Sequence, residues 1–163
     1  MQIYLIKNIQ VVNEGRQFVS DLLIKDGRIE RMAPSINPGN SRVKEINGEG
    51  LHLLPGAIDD QVHFREPGLT HKANIQSEAK AAVAGGVTSF MEMPNTVPPA
   101  YTLELLEEKY AIAARSSLAN YSFYIGTSNE HADETLKANA FKTDICGIKI
   151  FMGSSTGNLL VDN

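Results

Sequence analysis

Four strand-like runs separated by three stretches of helical periodicity constrain this chain more than any other feature. The runs are 53–65, 87–93, 121–126 and 145–152. Between the first two, Ile75, Ala79, Ala82 and Val83 recur at i, i+4, i+7 and i+8, a helical stripe, and Gly85-Gly86 supplies a stop. Thr102 caps a second helix in which Leu103, Leu106, Tyr110 and Ala114 keep helical spacing, with Glu104, Glu107, Glu108 and Lys109 turned to solvent. A third helix is predicted from Ser128 or Asn129 to about Ala140. Strands alternating with such helices argue for βα units and a parallel sheet. A complete (β/α)8 barrel takes roughly 250 residues, more than a chain of 163 can supply after position 52. The pattern alone gives an α/β chain whose four-stranded parallel sheet is either part of a (β/α)8 TIM barrel or small and self-contained. A half-barrel leaves strand edges and an apolar inner face uncovered, so it needs the remainder of its own polypeptide, or a partner.

Residues 1–52 read differently, as a β segment ahead of the barrel portion at 53–163. Short apolar runs at 3–6 and 9–12 precede a turn signal at Asn13-Glu14-Gly15. A strand at 18–24 then meets Asp26-Gly27, a strong hairpin signal because the turn demands positive φ. Residues 28–32 form the return strand, 34–40 a loop, and 43–54 one or two strands around Asn47-Gly48. Nothing in this segment carries chemistry.

Bulk properties remove several classes of function. A net charge of −4 gives no basic footprint for nucleic acid. No apolar run reaches the length of a membrane span, and the N-terminus lacks the features of a signal peptide. The single cysteine, Cys146, has no internal disulfide partner, which fits a reducing compartment. A cytoplasmic protein without nucleic-acid or membrane partners is expected.

Chemistry concentrates in 53–68. Asp59, Gln61, His63 and Arg65 occupy every second position, and strand side chains alternate faces. The four polar groups therefore project to one side, Val62 and Phe64 to the other, ahead of a Glu66-Pro67-Gly68 turn. A half-exposed edge strand gives the same periodicity. Two further stretches tip the balance: Val-Thr-Ser-Phe-Met-Glu-Met-Pro-Asn-Thr at 87–96, and Ile-Cys-Gly-Ile-Lys-Ile-Phe-Met-Gly at 145–153 with a small-residue loop to 157.

Together these three segments resemble the dihydroorotase branch of the amidohydrolase superfamily. Its first strand reads roughly Pro-Gly-x-Ile-Asp-x-His-x-His-x-Arg-Glu-Pro-Gly, its second ends in Met-Pro-Asn-Thr, and a later one carries Gly-x-Lys-x-Phe/Tyr. The likeness runs from about Ile9 onward, with one departure: Gln61 stands where the family has its first histidine.

The resemblance implies a fold and a site. Residues 1–52 become part of a small β-sandwich beside the barrel, completed by strands from the far C-terminus. His63 becomes a zinc ligand through neutral imidazole, and Lys149 a carboxylated lysine bridging one or two zinc ions. Gln61 is a weak substitute ligand, since a neutral amide oxygen binds zinc less well than imidazole. Asp60 is a chemical substitute that strict alternation turns to the opposite face unless the strand bulges. Arg65 and Asn95 match the pair that holds the substrate's carboxylate, a role suited to a planar guanidinium fork and an amide donor. A salt bridge from Arg65 to Glu66 or Asp59, and a turn role for Asn95, are the alternatives. Lys149, amid apolar neighbours, could instead snorkel or pair with Asp59. His52, His71 and His131 have no motif behind them. The family's general acid/base, an aspartate on the last strand, falls beyond residue 163.

The implied activity is zinc-dependent, reversible hydrolysis of dihydroorotate to carbamoyl aspartate in pyrimidine synthesis, by a homo-oligomer acting on a small-molecule substrate. The 163 residues alone are expected to be inactive. Alternatives are a related cyclic amidohydrolase of the allantoinase or dihydropyrimidinase type, or a metal-free scaffold subunit.

Overall fold

Two positive-φ turns organise the start of the chain. Glu14-Gly15 (φ 49° and 71°) and Asp26-Gly27 (φ 48° and 78°) are type I′-like pairs whose twist matches a hairpin. They join β1 (Ile3–Asn13), β2 (Arg16–Lys25) and β3 (Arg28–Ala33) into an antiparallel meander. β4 (Lys44–Asn47) and β5 (His52–Leu53) pair in parallel with β1, giving a sheet of order β3-β2-β1-β4 with β5 also against β1. The computed structural model describes residues 2–39, 42–153 and 158–162. It divides into two compact units, Met1–Pro55 and Gly56–Asn163.

In the first unit, the two short runs expected at 3–12 are one strand with a bulge between Ile6 and Ile9. Asn8 sits there at φ 57°. Asp21 holds the kink: its Oδ1 accepts the Asn8 N–H at 2.9 Å and its Oδ2 the Ile36 N–H at 2.9 Å. Burial pushes this carboxyl's pKa up, but the two N–H donors and the Lys7 charge outweigh it, and the net direction is down. Ile9, Val11 and Leu22 form the small core.

The second unit runs β6 (Ala57–Val62), α1 (Ile75–Ala84), β7 (Val87–Glu92), α2 (Leu103–Ser116), β8 (Asn120–Gly126), α3 (Ala132–Lys137) with a 3₁₀ turn over Ala138–Phe141, and β9 (Gly147–Lys149). The four strands pair in parallel in the order β6-β7-β8-β9. This is the strand–helix alternation of a half-barrel. Its core lies between sheet and helices. Phe64, Phe90, Phe123 and Ile125 meet Ile75 and Ala79 of α1 and Leu106 and Ala113 of α2. Local signals set the helix starts. Asn74 and Ser77 form a reciprocal capping box before α1, and Thr102 accepts the Leu105 N–H before α2.

The second unit differs from the sequence expectation in its element bounds and in one buried side chain. The first barrel strand begins at Ala57, because Leu53 pairs with β1 in the other unit. The third helix keeps only six residues as α-helix. The fourth strand shortens to three, with the Cys146 N–H already committed to the Phe123 carbonyl. Lys109 is not turned to solvent. It is fully buried, so the inward stripe of α2 is Leu106, Lys109 and Ala113, while Ala114 is exposed.

Candidate functional site

The site is built from the C-terminal ends of β6, β7 and β9, where barrels of this type place their chemistry. Strict alternation along 59–65 does not survive in the structure. Asp59 is the register partner of Phe90 and Val62 that of Glu92, so three steps on β6 face two on β7. Asp60 and Gln61 together oppose Met91, a β-bulge. The Asp59 carboxylate stabilises it by accepting the Gln61 N–H at 3.1 Å, and the Tyr124 hydroxyl donates to the Asp60 carbonyl at 3.0 Å. Asp59 therefore leaves the row that Gln61, His63 and Arg65 were expected to share with it.

Beyond the bulge the pattern settles. Phe64 is buried against Phe90, with ring centroids 4.5 Å apart, which turns its neighbours His63 and Arg65 away from the core. His63 Nδ1 lies 2.8 Å from Asn95 Oδ1. With an amide oxygen facing it, Nδ1 is the donor of this pairing; Nε2 of a neutral imidazole so held is the nitrogen that can bind a metal. Arg65 has φ 70°, a left-handed conformation uncommon for a side-chain-bearing residue and often kept at sites of function.

Neither acidic neighbour of Arg65 neutralises it. The Glu66 Oε2 accepts the Ile75 N–H at 2.9 Å, at the N-terminus of α1, and among the described residues the ion pairs are Lys109–Glu92 and Lys137–Glu134. The turn after Arg65 packs tightly on the loop after β7. The Val97 N–H donates to the Pro67 carbonyl at 3.2 Å. A Cβ on Gly68, at φ 82°, would fall 2.0 Å from the Val97 carbonyl oxygen, so only glycine fits there. Asn95 and Thr96 are buried in that same loop, where Thr96 Oγ1 donates to the Pro98 carbonyl at 2.9 Å.

Lys149 ends β9 beside Gly126 of β8. It is half-buried, with Nζ 5.1 Å from the Phe151 ring centroid, and it has no carboxylate within ion-pair distance among the described residues. The Asp59 pairing considered from sequence is not formed. Residues 154–157 of the small-residue loop lie outside the described residues. His131 stacks on Tyr101 at 3.7 Å and bonds Ser128 Oγ at 2.7 Å, a local turn arrangement.

Two site-supporting residues carry no signal in the sequence. Glu92 and Lys109 are fully buried and form an ion pair at 2.9 Å. Glu92 Oε1 accepts the Phe64 N–H at 3.1 Å. Lys109 Nζ donates to the Met93 carbonyl at 3.1 Å. Burial pushes the Glu92 carboxyl up and the Lys109 ammonium down, each opposed by its partner's charge.

The donor chemistry bears on a metal. Among the described residues no three His, Cys, Asp or Glu side chains are grouped to hold one. His63 Nε2 is a sound donor, and Lys149 becomes one only as a carbamate. Those would be two of the four donors a zinc site takes, so the residues fit a share of a metal site.

Fold and site together define one portion of a (β/α)8 barrel: parallel βα units with polar groups at their strand ends. The chain belongs to the dihydroorotase-like family, whose model matches residues 50–154. It is 48% identical over 92 residues, 56% of its length, to a dihydroorotase of Carboxydothermus hydrogenoformans. Against an allantoinase of Solibacter usitatus it is 35% identical over 147 residues, 90% of its length. The L-hydantoinase (dihydropyrimidinase) of Arthrobacter aurescens superposes with TM-score 0.85 over 98% of the chain, at 25% identity. The chain spans 21%, 31% and 35% of these three relatives respectively. Among the described residues no helix is long and apolar enough to cross a membrane.

Proposed function

We propose that the polypeptide carrying this chain is a dihydroorotase, opening and closing the cyclic amide between dihydroorotate and carbamoyl aspartate. The observation that carries the reading is the bond between His63 and Asn95 at 2.8 Å, which joins the strand end that carries Arg65 to the loop after β7. The Arg65 guanidinium provides a planar fork for the ring's carboxylate, and the Asn95 amide adds a donor. His63 and carboxylated Lys149 would hold zinc, with Gln61 a weak contributor. Bound zinc polarises a carbonyl and lowers the pKa of water. Carboxylation of Lys149 turns a half-buried cation, without a carboxylate partner among the described residues, into an anionic donor, which removes the cost of burying that cation.

This chain binds and orients one end of the substrate. The remaining donors and the general acid/base are supplied by the remainder of the polypeptide. Exposed Ile58, Ile148 and Ile150 support the view that more protein covers this unit. A homo-oligomer is part of the same proposal.

Allantoin-type rings are a second reading, favoured by the 35% identity to an allantoinase across most of the chain. A scaffold role is favoured by Gln61 alone. The test is ring opening of dihydroorotate, hydantoin and allantoin by the longest polypeptide the gene encodes, supplied with zinc and bicarbonate. Chelator-sensitive turnover of dihydroorotate is expected. Turnover of hydantoin or allantoin only, or of none in a zinc-loaded protein, contradicts the reading.

A further inference from the structure

We propose that Glu92 and Lys109 are positioning residues: one buried ion pair that fixes both substrate-facing segments, 63–65 and 93–95, against each other. The inference rests on the reading of Arg65, His63 and Asn95 given above. Its starting point is an anomaly of burial. Lys109 sits in the middle of α2 with no exposed surface, and Glu92 ends β7 with none. Placing two charges there is costly, and an apolar pair of similar volume would often be as stable. Stability alone therefore does not account for them.

Their remaining bonds show what the pair does. Glu92 Oε1 faces β6 and receives the N–H of Phe64, the residue between His63 and Arg65. Arg65 follows at φ 70°, where the chain leaves strand geometry. Lys109 faces the other segment and donates to the Met93 carbonyl at 3.1 Å, one residue before Pro94-Asn95. The pair thus closes a circuit: Phe64 backbone, Glu92, Lys109, Met93 backbone, with His63 and Asn95 bonded across the open side at 2.8 Å. Without that carboxylate oxygen the buried Phe64 N–H would lose its acceptor, between the two residues that face the substrate. A displacement of about 1 Å in positioning groups is enough to cost a hundredfold in rate.

The acceptor oxygen, more than the charges, is assigned the positioning role. That separates it from a packing role. In the full polypeptide, Glu92→Leu/Lys109→Met keeps apolar volume and removes the acceptor, whereas Glu92→Gln/Lys109→Met keeps an amide oxygen for the Phe64 N–H. The Leu/Met form is expected to melt near the native temperature while KM for dihydroorotate rises at least tenfold; the Gln/Met form is expected to stay within threefold of native.

Nitrogen NMR of His63 in the metal-free protein gives an activity-independent readout. The Nδ1–H signature of the Asn95 bond should persist in native and Gln/Met proteins and vanish in Leu/Met. Native KM and an intact His63 signature in Leu/Met would overturn the proposal, as would a Gln/Met form as impaired as Leu/Met. If Leu/Met does not fold, the Phe64 amide decides it: slow hydrogen exchange in native and Gln/Met proteins supports the proposal, and loop-like exchange in the native protein overturns it. Should native protein turn over no ring, the functional reading fails, while the NMR arm still decides this one.

Discussion

Each unit of this chain buries one carboxylate at a place where the backbone turns left-handed, and the two solve the problem differently. Asp21 receives the N–H groups of Asn8, at φ 57°, and Ile36. Glu92 receives that of Phe64, next to Arg65 at φ 70°. Asp21 manages with N–H donors and the nearby Lys7 charge, and its pKa falls. For Glu92 burial dominates, pushing its pKa up even with Lys109 at 2.9 Å. A carboxylate in a small sheet can be held by backbone dipoles, whereas one beneath a helix takes a counter-ion inside. The first arrangement shapes a strand. The second shapes a site.

The comparison breaks most sharply at Lys109. Lys109→Met leaves Glu92 buried without its counter-charge, and loss of one partner of such a pair costs about 3–5 kcal/mol. Denaturant titration of the full polypeptide should register that loss. Asp21→Ala strands two N–H groups, for about 2–3 kcal/mol, by the same measurement. Its effect on substrate binding should be negligible, because the Asp21 carboxylate bonds Asn8 and Ile36 within the first unit.

A smaller effect sharpens the contrast through pH. Asp21 has a folded pKa below its unfolded value, which is about 3.9. Its contribution is therefore fully present above about pH 4 and is lost as pH falls through the folded value. Acid titration of native protein against Asp21→Asn should show the stability difference shrinking below about pH 4, and a constant difference would refute the assignment. Gln61→His tests the open face instead. An added imidazole should tighten zinc binding by about tenfold or more, read by competition with a chromogenic chelator.

Much of this architecture is legible in the sequence because it is written locally. Asp26-Gly27 specifies its hairpin whatever surrounds it, and Asn74, Thr102 and Gly85-Gly86 mark helix ends by hydrogen-bond chemistry within a few residues. The order of strands and helices comes from period alone. Lys109 misleads because three glutamates share its helix, and a lysine in their company signals solvent. Its partner lies on another strand, so only tertiary structure reveals that the charge is matched. The bulge at Asp60-Gln61 is hidden for a similar reason, since register belongs to a pair of strands. His63, Arg65, Asn95 and Lys149 stand out through a motif resemblance. Their mutual geometry, above all the bond between His63 and Asn95, does not.

The central claim is that Arg65 and Asn95 read a carboxylate. It is tested most directly by comparing kcat/KM for dihydroorotate with that for dihydrouracil, the same ring lacking the carboxylate, in native and Arg65→Gln polypeptides. The account predicts a strong preference for dihydroorotate that collapses in Arg65→Gln through loss on dihydroorotate alone. An unchanged preference in the variant, or a native enzyme that favours dihydrouracil, would contradict it.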